Sequence, residues 1–363
     1  MTLTQDAVRE LAAFNAGDAP VVSLYLDVDG RRYPRTHDYE VQLAHLVREA
    51  NGSAHGATTA EDLHRIESYV KAGVDRSRTR GLAIFSSAGA GLWRVIPLPV
   101  PVRNQITVNQ SPQLRQLEAL LDEHHRFAVL LADRQRTRLF VFELGELVDK
   151  SEQLEQLPRH EDEGGVERDH VRDHVAAHAH QHLRHAAQLA FAVHQQQPVD
   201  HLILCAPDEV RAELERELHS YLRDRIAARL TLPTSARDED IRQAALGVEV
   251  QLRTERHAAL VARLRSPQGV AGLADVLAAL AGKRVETLLV SEDYVAEGWA
   301  CPSCGACATV GRTCRQCGAQ MDSTDDVVEA AIDRAVLQNC RVVVVSGNAD
   351  LDVMGRIGAL LRF

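Results

Sequence analysis

Two Cys-x2-Cys pairs constrain this chain more than any other feature. Cys301 and Cys304 form the first pair, and Cys314 and Cys317 the second, with nine residues between them. Glycine follows each pair at once, as Gly305 and Gly318. Four thiolates in two such knuckles satisfy tetrahedral Zn2+ in a closed structural site, the pattern of a zinc ribbon over about residues 299–320. Each glycine lets backbone N–H groups turn toward the sulfurs. Four unrelated buried thiols are the alternative, and the paired spacing argues against it. Cys307 is a fifth thiol able to compete with Cys304. Five of the seven cysteines lie between positions 301 and 317, which reads as metal binding in a reducing cytoplasm and not as a secreted disulfide scaffold.

The 363 residues suggest two or three domains. Apolar residues make up 45% and aromatics only 4%, so the cores must rest on Leu, Val and Ala. Counting 51 acidic against 41 basic residues leaves a net charge of −10, which disfavours wholesale wrapping of nucleic acid but permits a local basic patch. No apolar run approaches the length of a membrane span, and the N-terminus carries no secretory signal pattern, so a cytoplasmic protein with no membrane partner is expected.

Alternating strand and helix patterns predict an α/β fold in three domains, at residues 1–122, 123–266 and 267–363. In the first, apolar runs at 21–28, 81–87 and 91–98 read as strands, and 61–75 as a helix. In the second, residues 127–133 and 138–144 flank a turn as a hairpin. A polar stretch follows from Asp149 to Asp173, then a helix to about Gln195, a buried strand at 201–207, a helix over 208–226 and another over 238–266. The sequence Ser266-Pro267-Gln268-Gly269 closes that last helix and opens the third domain. There the cysteine module interrupts a C-terminal α/β/α pattern, after one strand and before the next helix.

A Gly pair, Gly164-Gly165, precedes the long helix, and two glycines alone signal only a turn. His170, His174, His178 and His182 recur every fourth residue, and His180, His185 and His194 add to them. Such a stripe can bind a transition metal. A polar, solvent-facing stripe is the favoured reading, because no carboxylate partner is evident.

The third segment, GLADVLAALAGKRVETLLVSED followed by the cysteine module, a helix, RVVVVSG and GRIGALLRF, resembles the C-terminal domain of archaeal and eukaryotic class-1 peptide release factors. The hairpin, the loop carrying Leu157, Pro158, His160 and the Gly pair, and the long helix are similar to that family's middle domain. VVSLYLDV and GLAIFSS resemble its first domain. The nearest placement is among bacterial relatives of the Pelota-like, Balon-like and peptidyl-tRNA hydrolase kinds.

That resemblance implies a three-domain release-factor-like architecture and a ribosome-associated factor of the A site. Its partners would be the 70S ribosome and rRNA, extending to tRNA and a translational GTPase. The family's releasing members carry Gly-Gly-Gln at the tip; here the tip is Gly164-Gly165-Val166. A Val side chain cannot hydrogen-bond a hydrolytic water, and the approach HEDEGG is acidic where a loop entering rRNA should be basic. The stop-codon-reading Asn-Ile-Lys-Ser motif has no match. The expectation is therefore a factor of hibernation or rescue without stop-codon reading. The alternative is a peptidyl-tRNA hydrolase with a divergent tip, in which His160, His170 or Arg168 would help the water. Expected RNA contacts are Arg31, Arg32 and Arg35 in the first domain's loop and Arg168 and Arg172 on the long helix.

Overall fold

The computed structural model describes residues 3–17, 19–51, 59–77, 79–122, 125–143, 146–154 and 167–362, with backbone alone at 146, 153, 154 and 167–176. Two compact units emerge: residues 1–123 with 256–363, and residues 124–255. Each is a mixed α/β assembly.

The first unit opens with α1 (Gln5–Ala12), started by Thr4, whose Oγ1 accepts the Ala7 N–H at 3.2 Å. Then come β1 (Val21–Asp27), α2 (Thr36–Asn51), α3 (Ala60–Lys71), β2 (Gly81–Ser87), β3 (Leu92–Leu98), β4 (Gln105–Asn109) and α4 (Arg115–Asp122). The strands form an antiparallel sheet in the order β3-β2-β1-β4. β1 is buried on both faces, and its alternation sorts two cores. Val22, Leu24 and Leu26 pack with Leu43, Leu63 and Ile66 of α2 and α3, while Val21 and Tyr25 join a core shared with α1 and with the end of the chain.

The second unit holds β5 (Arg126–Ala132), β6 (Arg136–Glu143), β7 (Glu146–Leu154), α5 (Glu167–Gln196), β8 (His201–Cys205), α6 (Asp208–Glu217), α7 (Ser220–Arg223) and β9 (Ile226–Leu230), and the start of α8 (Asp238–Arg263). The sheet order is β7-β6-β5-β8-β9, antiparallel on one side of β5 and parallel on the other. Its two faces are both covered. Leu130, Leu139 and Leu204 face α5 and α6; Val129, Phe140 and Ile203 face Ile241, Ala245 and Val248 of α8. Arg138, only 5% exposed in its side chain, fastens the start of α8: it donates to the Thr234 carbonyl at 2.9 Å, pairs with Asp238 and lies over the Phe140 ring.

The remaining elements belong to the first unit: β10 (Gly269–Ala271), α9 (Leu273–Ala281), β11 (Val285–Ser291), β12 (Gly298–Ala300), β13 (Cys307–Ala308), β14 (Asp322–Thr324), α10 (Val327–Leu337), β15 (Arg341–Val345), α11 (Ala349–Val353) and β16 (Ile357–Leu361). Strands β10-β16-β11-β15 make one sheet and β13-β12-β14 the small sheet of the ribbon.

Three local expectations need correction. The helix expected over 208–226 stops at Glu217, because Leu218 turns extended to bury its side chain beside Leu214 and Leu222; residues 226–230 become a strand beside β8. The polar stretch expected from Asp149 begins instead within a strand, since residues 146–154 pair along the edge of the sheet with β6. His182, assigned to a solvent-facing stripe, is fully buried, and its Nε2 sits 3.0 Å from Thr137 Oγ1.

Buried charge holds the first unit together. Arg115 at the start of α4 lies 3.5 Å from Glu329 and 3.3 Å from Asp326, all three nearly excluded from water. Glu329 also accepts the Leu114 and Arg115 backbone N–H groups. Asp326 caps α10 through the Val328 and Glu329 N–H groups, and Ser111 donates to Asp333 at 2.7 Å. Asp122, at the end of α4, pairs with Arg256 at 2.9 Å and Arg341 at 2.8 Å.

One Arg115 cannot balance so many carboxylates. Burial, with Asp122 and Glu329 near, pushes Glu118 up to about 7. Burial likewise brings Glu329 to about 7 against the pull of Arg115, and carries Asp333 well above the usual range. These groups hold protons in the folded state that the unfolded chain releases near pH 4 to 5. The contribution of Glu118 and Glu329 is therefore fully present at acid pH and lost as pH rises through about 7. The melting temperature of the first unit should fall between pH 5 and 8, and Glu118→Gln should flatten that fall in a calorimetric pH series. Arg115→Met strands Glu329 and Asp326 and should cost about 3–5 kcal/mol in denaturant unfolding.

Candidate metal centre and nucleic-acid contacts

The cysteine module folds as two matching knuckles. In the first, the Cys301 N–H donates to the Ala306 carbonyl and the Gly305 N–H to the Cys301 carbonyl, both at 2.8 Å. In the second, the Cys314 N–H donates to Ala319 at 2.8 Å and the Gly318 N–H to Cys314 at 2.9 Å. Closing each loop needs a left-handed residue in the fourth position after the first cysteine. Gly305 and Gly318 supply it at φ +67° and +76°. The second knuckle is anchored to the domain by Gln316, which donates to the Ala281 carbonyl at 2.6 Å at the end of α9.

The four Sγ atoms lie within 4.8 Å of one another, with Cys301–Cys317 and Cys304–Cys314 each at 3.5 Å. Metal–sulfur bonds of about 2.3 Å in a tetrahedron give sulfur–sulfur edges of about 3.8 Å, so the cluster fits one metal ion. The backbone N–H groups of Cys317 and Gln316 bring the Cys314 thiol down to about 6, while burial pushes Cys304 up to about 12, so the four sulfurs do not deprotonate alike without a cation. All four positions of a tetrahedron are taken by protein, which suits a structural centre. Cys307 stands outside the cluster on β13, and its Sγ faces the Gly305 carbonyl at 3.7 Å.

The five arginines expected to meet RNA fall in both units. Arg31, Arg32 and Arg35 are exposed in the loop after β1. That loop is shaped by Asp29, whose carboxylate accepts the Arg31 N–H at 3.0 Å and whose carbonyl accepts those of Arg32 and Tyr33. Arg76 braces it from behind by donating to the Val28 and Tyr33 carbonyls. Arg32 Nη1 reaches the buried Asp27 carboxylate at 2.8 Å, so this arginine also neutralises an interior charge. Arg168 and Arg172 lie on the first turns of α5, where only the backbone is described. Leu157, Pro158, His160, Gly164, Gly165 and Val166 lie outside the described residues.

Sequence reasoning missed the Arg115–Asp326–Glu329–Asp333 cluster. Arg115 stands more than two hundred positions from the three acids, and each alone looks like an ordinary helix-surface charge. The only sequence hint is that Glu329 and Asp333, four residues apart, share a helix face with apolar neighbours.

Cys314→Ser should strip the bound metal from the purified chain, read by elemental analysis as a loss of about one equivalent. Hydrogen exchange should then accelerate across residues 298–324 while β5, β6 and β8 keep their protection.

Residues 112–249 match the family described as bacterial archaeo-eukaryotic release factor family 10. No curated protein matches the chain. Among solved structures, archaeal translation termination factor aRF1 is 16% identical, with 100% of this chain and 99% of that one covered and a TM-score of 0.27. Archaeoglobus fulgidus Pelota is 13% identical over 100% and 93%, at 0.35. S. cerevisiae Dom34, described as a translation termination-like factor in RNA quality control that interacts with Hbs1, is 10% identical over 78% and 80%, at 0.39. With structural overlap this low, the assignment rests on the sequence match. The likeness to bacterial archaeo-eukaryotic release factors is therefore carried by residues 112–249.

Proposed function

We propose that this protein is a ribosome-associated translation factor that occupies the A site in hibernation or rescue, without reading stop codons. The observation that carries the reading is the release-factor match over residues 112–249 combined with Val166 at the tip position. The match supports a factor built for the ribosome. Val166 offers no side-chain hydrogen bond to a water, and Glu161, Asp162 and Glu163 repel phosphate, so action by occupancy fits the chain better than hydrolysis. The partners on this reading are the 70S ribosome and its rRNA, with tRNA and a translational GTPase as further candidates. The metal of the four-thiolate centre is proposed to be Zn2+, for which a closed tetrahedron of thiolates is the usual structural site. A cytoplasmic location follows from such partners.

The retained Gly164-Gly165 pair favours a second reading, a peptidyl-tRNA hydrolase whose divergent tip still positions water through its backbone.

Co-sedimentation with 70S ribosomes from growing and starved cells, combined with a peptidyl-tRNA cleavage assay, separates the two. Pelleting without cleavage is the expected result; cleavage supports the second reading, and absence of pelleting removes both. Val166→Gln alone should not create rapid release. A double Arg31→Glu, Arg35→Glu variant, which leaves the Arg32–Asp27 pair in place, should weaken pelleting. Its salt slope should fall by about one for each phosphate that the variant no longer neutralises. Wild-type pelleting by that variant across a salt series would mean that this loop does not face RNA.

A further inference from the structure

In the second unit, four rings stand in a row where α5 meets the α6–α7 corner. Phe191 and His219 stack at 4.2 Å between centroids with 16° between planes. His219 continues to Tyr221 at 5.1 Å and 23°, and Phe191 to His194 at 6.5 Å and 25°. Backbone hydrogen bonds hold the row in place. His219 caps α7 by accepting the Tyr221 N–H at 3.3 Å, and His194 accepts the Val199 N–H at 3.1 Å. Both Nδ1 atoms are thus acceptors in this arrangement. Burial, then Arg225 and His219, lower the proton affinity of His194 further.

The row ends in solvent. Tyr221 is 60% exposed, more than Tyr69 at 40%, and its outer face carries no ring among the described residues. Three arginines lie on the same corner. Arg225 donates to the Tyr221 carbonyl at 2.7 Å, Arg223 to the Leu218 carbonyl at 3.0 Å and Arg216 to the Ala212 carbonyl at 3.2 Å. Among the described residues, none of the three is hydrogen-bonded to a carboxylate. Of the acids nearby, Glu215 is held by both ends of Arg229, Asp200 accepts the Arg126 N–H, and Glu217 lies 3.9 Å from His180; Asp224 stands exposed.

A rigid aromatic face presented to water beside uncommitted positive charge matches an unpaired nucleotide: the base stacks on the ring and the phosphates meet the guanidinium groups. A peptide partner would be expected to use an apolar groove here, and the ring is flanked instead by Ser220, Arg223 and Asp224, all exposed. We propose that Tyr221, supported by His219 and Phe191, is a stacking platform for a single-stranded or splayed-out RNA base, with Arg216 and Arg223 on its backbone. This deepens the ribosome-associated reading and rests on it only for where such RNA would be met.

The test uses the full chain, a fluorescent unstructured cytidine–adenosine repeat RNA, and 70S ribosomes in parallel. Tyr221→Ala should weaken binding of the repeat RNA by about 5- to 100-fold, the span of one lost base stack. Tyr221→Phe should bind as wild type. Arg216→Glu with Arg223→Glu should weaken binding and lower its salt slope. Ultraviolet crosslinking should map to Tyr221. Equal binding by wild type and Tyr221→Ala, no RNA binding at all, or a Phe variant as weak as Ala would each overturn the platform. So would a Tyr221→Ala variant that loses ribosomes but keeps the RNA, which would point to a protein partner. Tyr221-dependent RNA binding without ribosome pelleting would leave the platform standing and remove the ribosomal reading.

Discussion

The first unit depends on Arg115. Its guanidinium is the cation that opposes the burial driving Glu329 and Asp326 toward their neutral forms. Because Arg115 opens α4 and the two acids open α10, their attraction fixes where residues from the start of the chain pack against residues from its end. Asp122, one helix length further, repeats the device with opposite sign: a buried acid gathers Arg256 and Arg341. Apolar contacts between α1, α4, α9 and α10 supply the area, but such contacts are tolerant of small slips. Buried charges are not, since a misplaced pair leaves an unpaired ion in low dielectric.

The ribbon is held together differently. Its small cluster of Cys301, Ala306, Cys314 and Met321 is too slight to hold a fold alone. The two knuckles compensate with local order: backbone loops preset by two left-handed glycines, and four sulfurs brought within reach of one ion. Gln316 then ties the preformed loop to α9. Gly298 against Val327 and Gly305 against Arg334 seat the ribbon on α10 as well.

The second unit separates scaffold from surface. A five-stranded sheet covered on both faces gives α5, α6 and α8 fixed seats, and His182 and Arg138 are absorbed into that scaffold. What the scaffold leaves outward at the α6–α7 corner is aromatic and positive, although the chain as a whole is acidic. Net charge describes the whole molecule, while binding is decided by what stands within a Debye length of the contact.

Local chemistry made part of this protein readable from its residues. The strands at 21–27, 81–87, 201–205 and 341–345 announce themselves as mostly apolar runs, because strands buried on both faces need no polar side. The four ligands were legible because metal geometry is met by residues close in sequence. The end of α6 was not legible: no Gly or Pro marks it, and only the burial of Leu218 turns the chain. His182 looked like one rung of a polar stripe until the sheet closed over it and Thr137 gave it a partner. The Arg115 cluster and the ring stack ending at Tyr221 were invisible for the same reason. Their members come from separate elements, and a pairing between distant residues exists only once the chain has folded. Sequence by itself determined the periodicities, the knuckles and the release-factor likeness of the middle segment; tertiary structure decided which charges became interior, because desolvation depends on neighbours that sequence spacing does not encode.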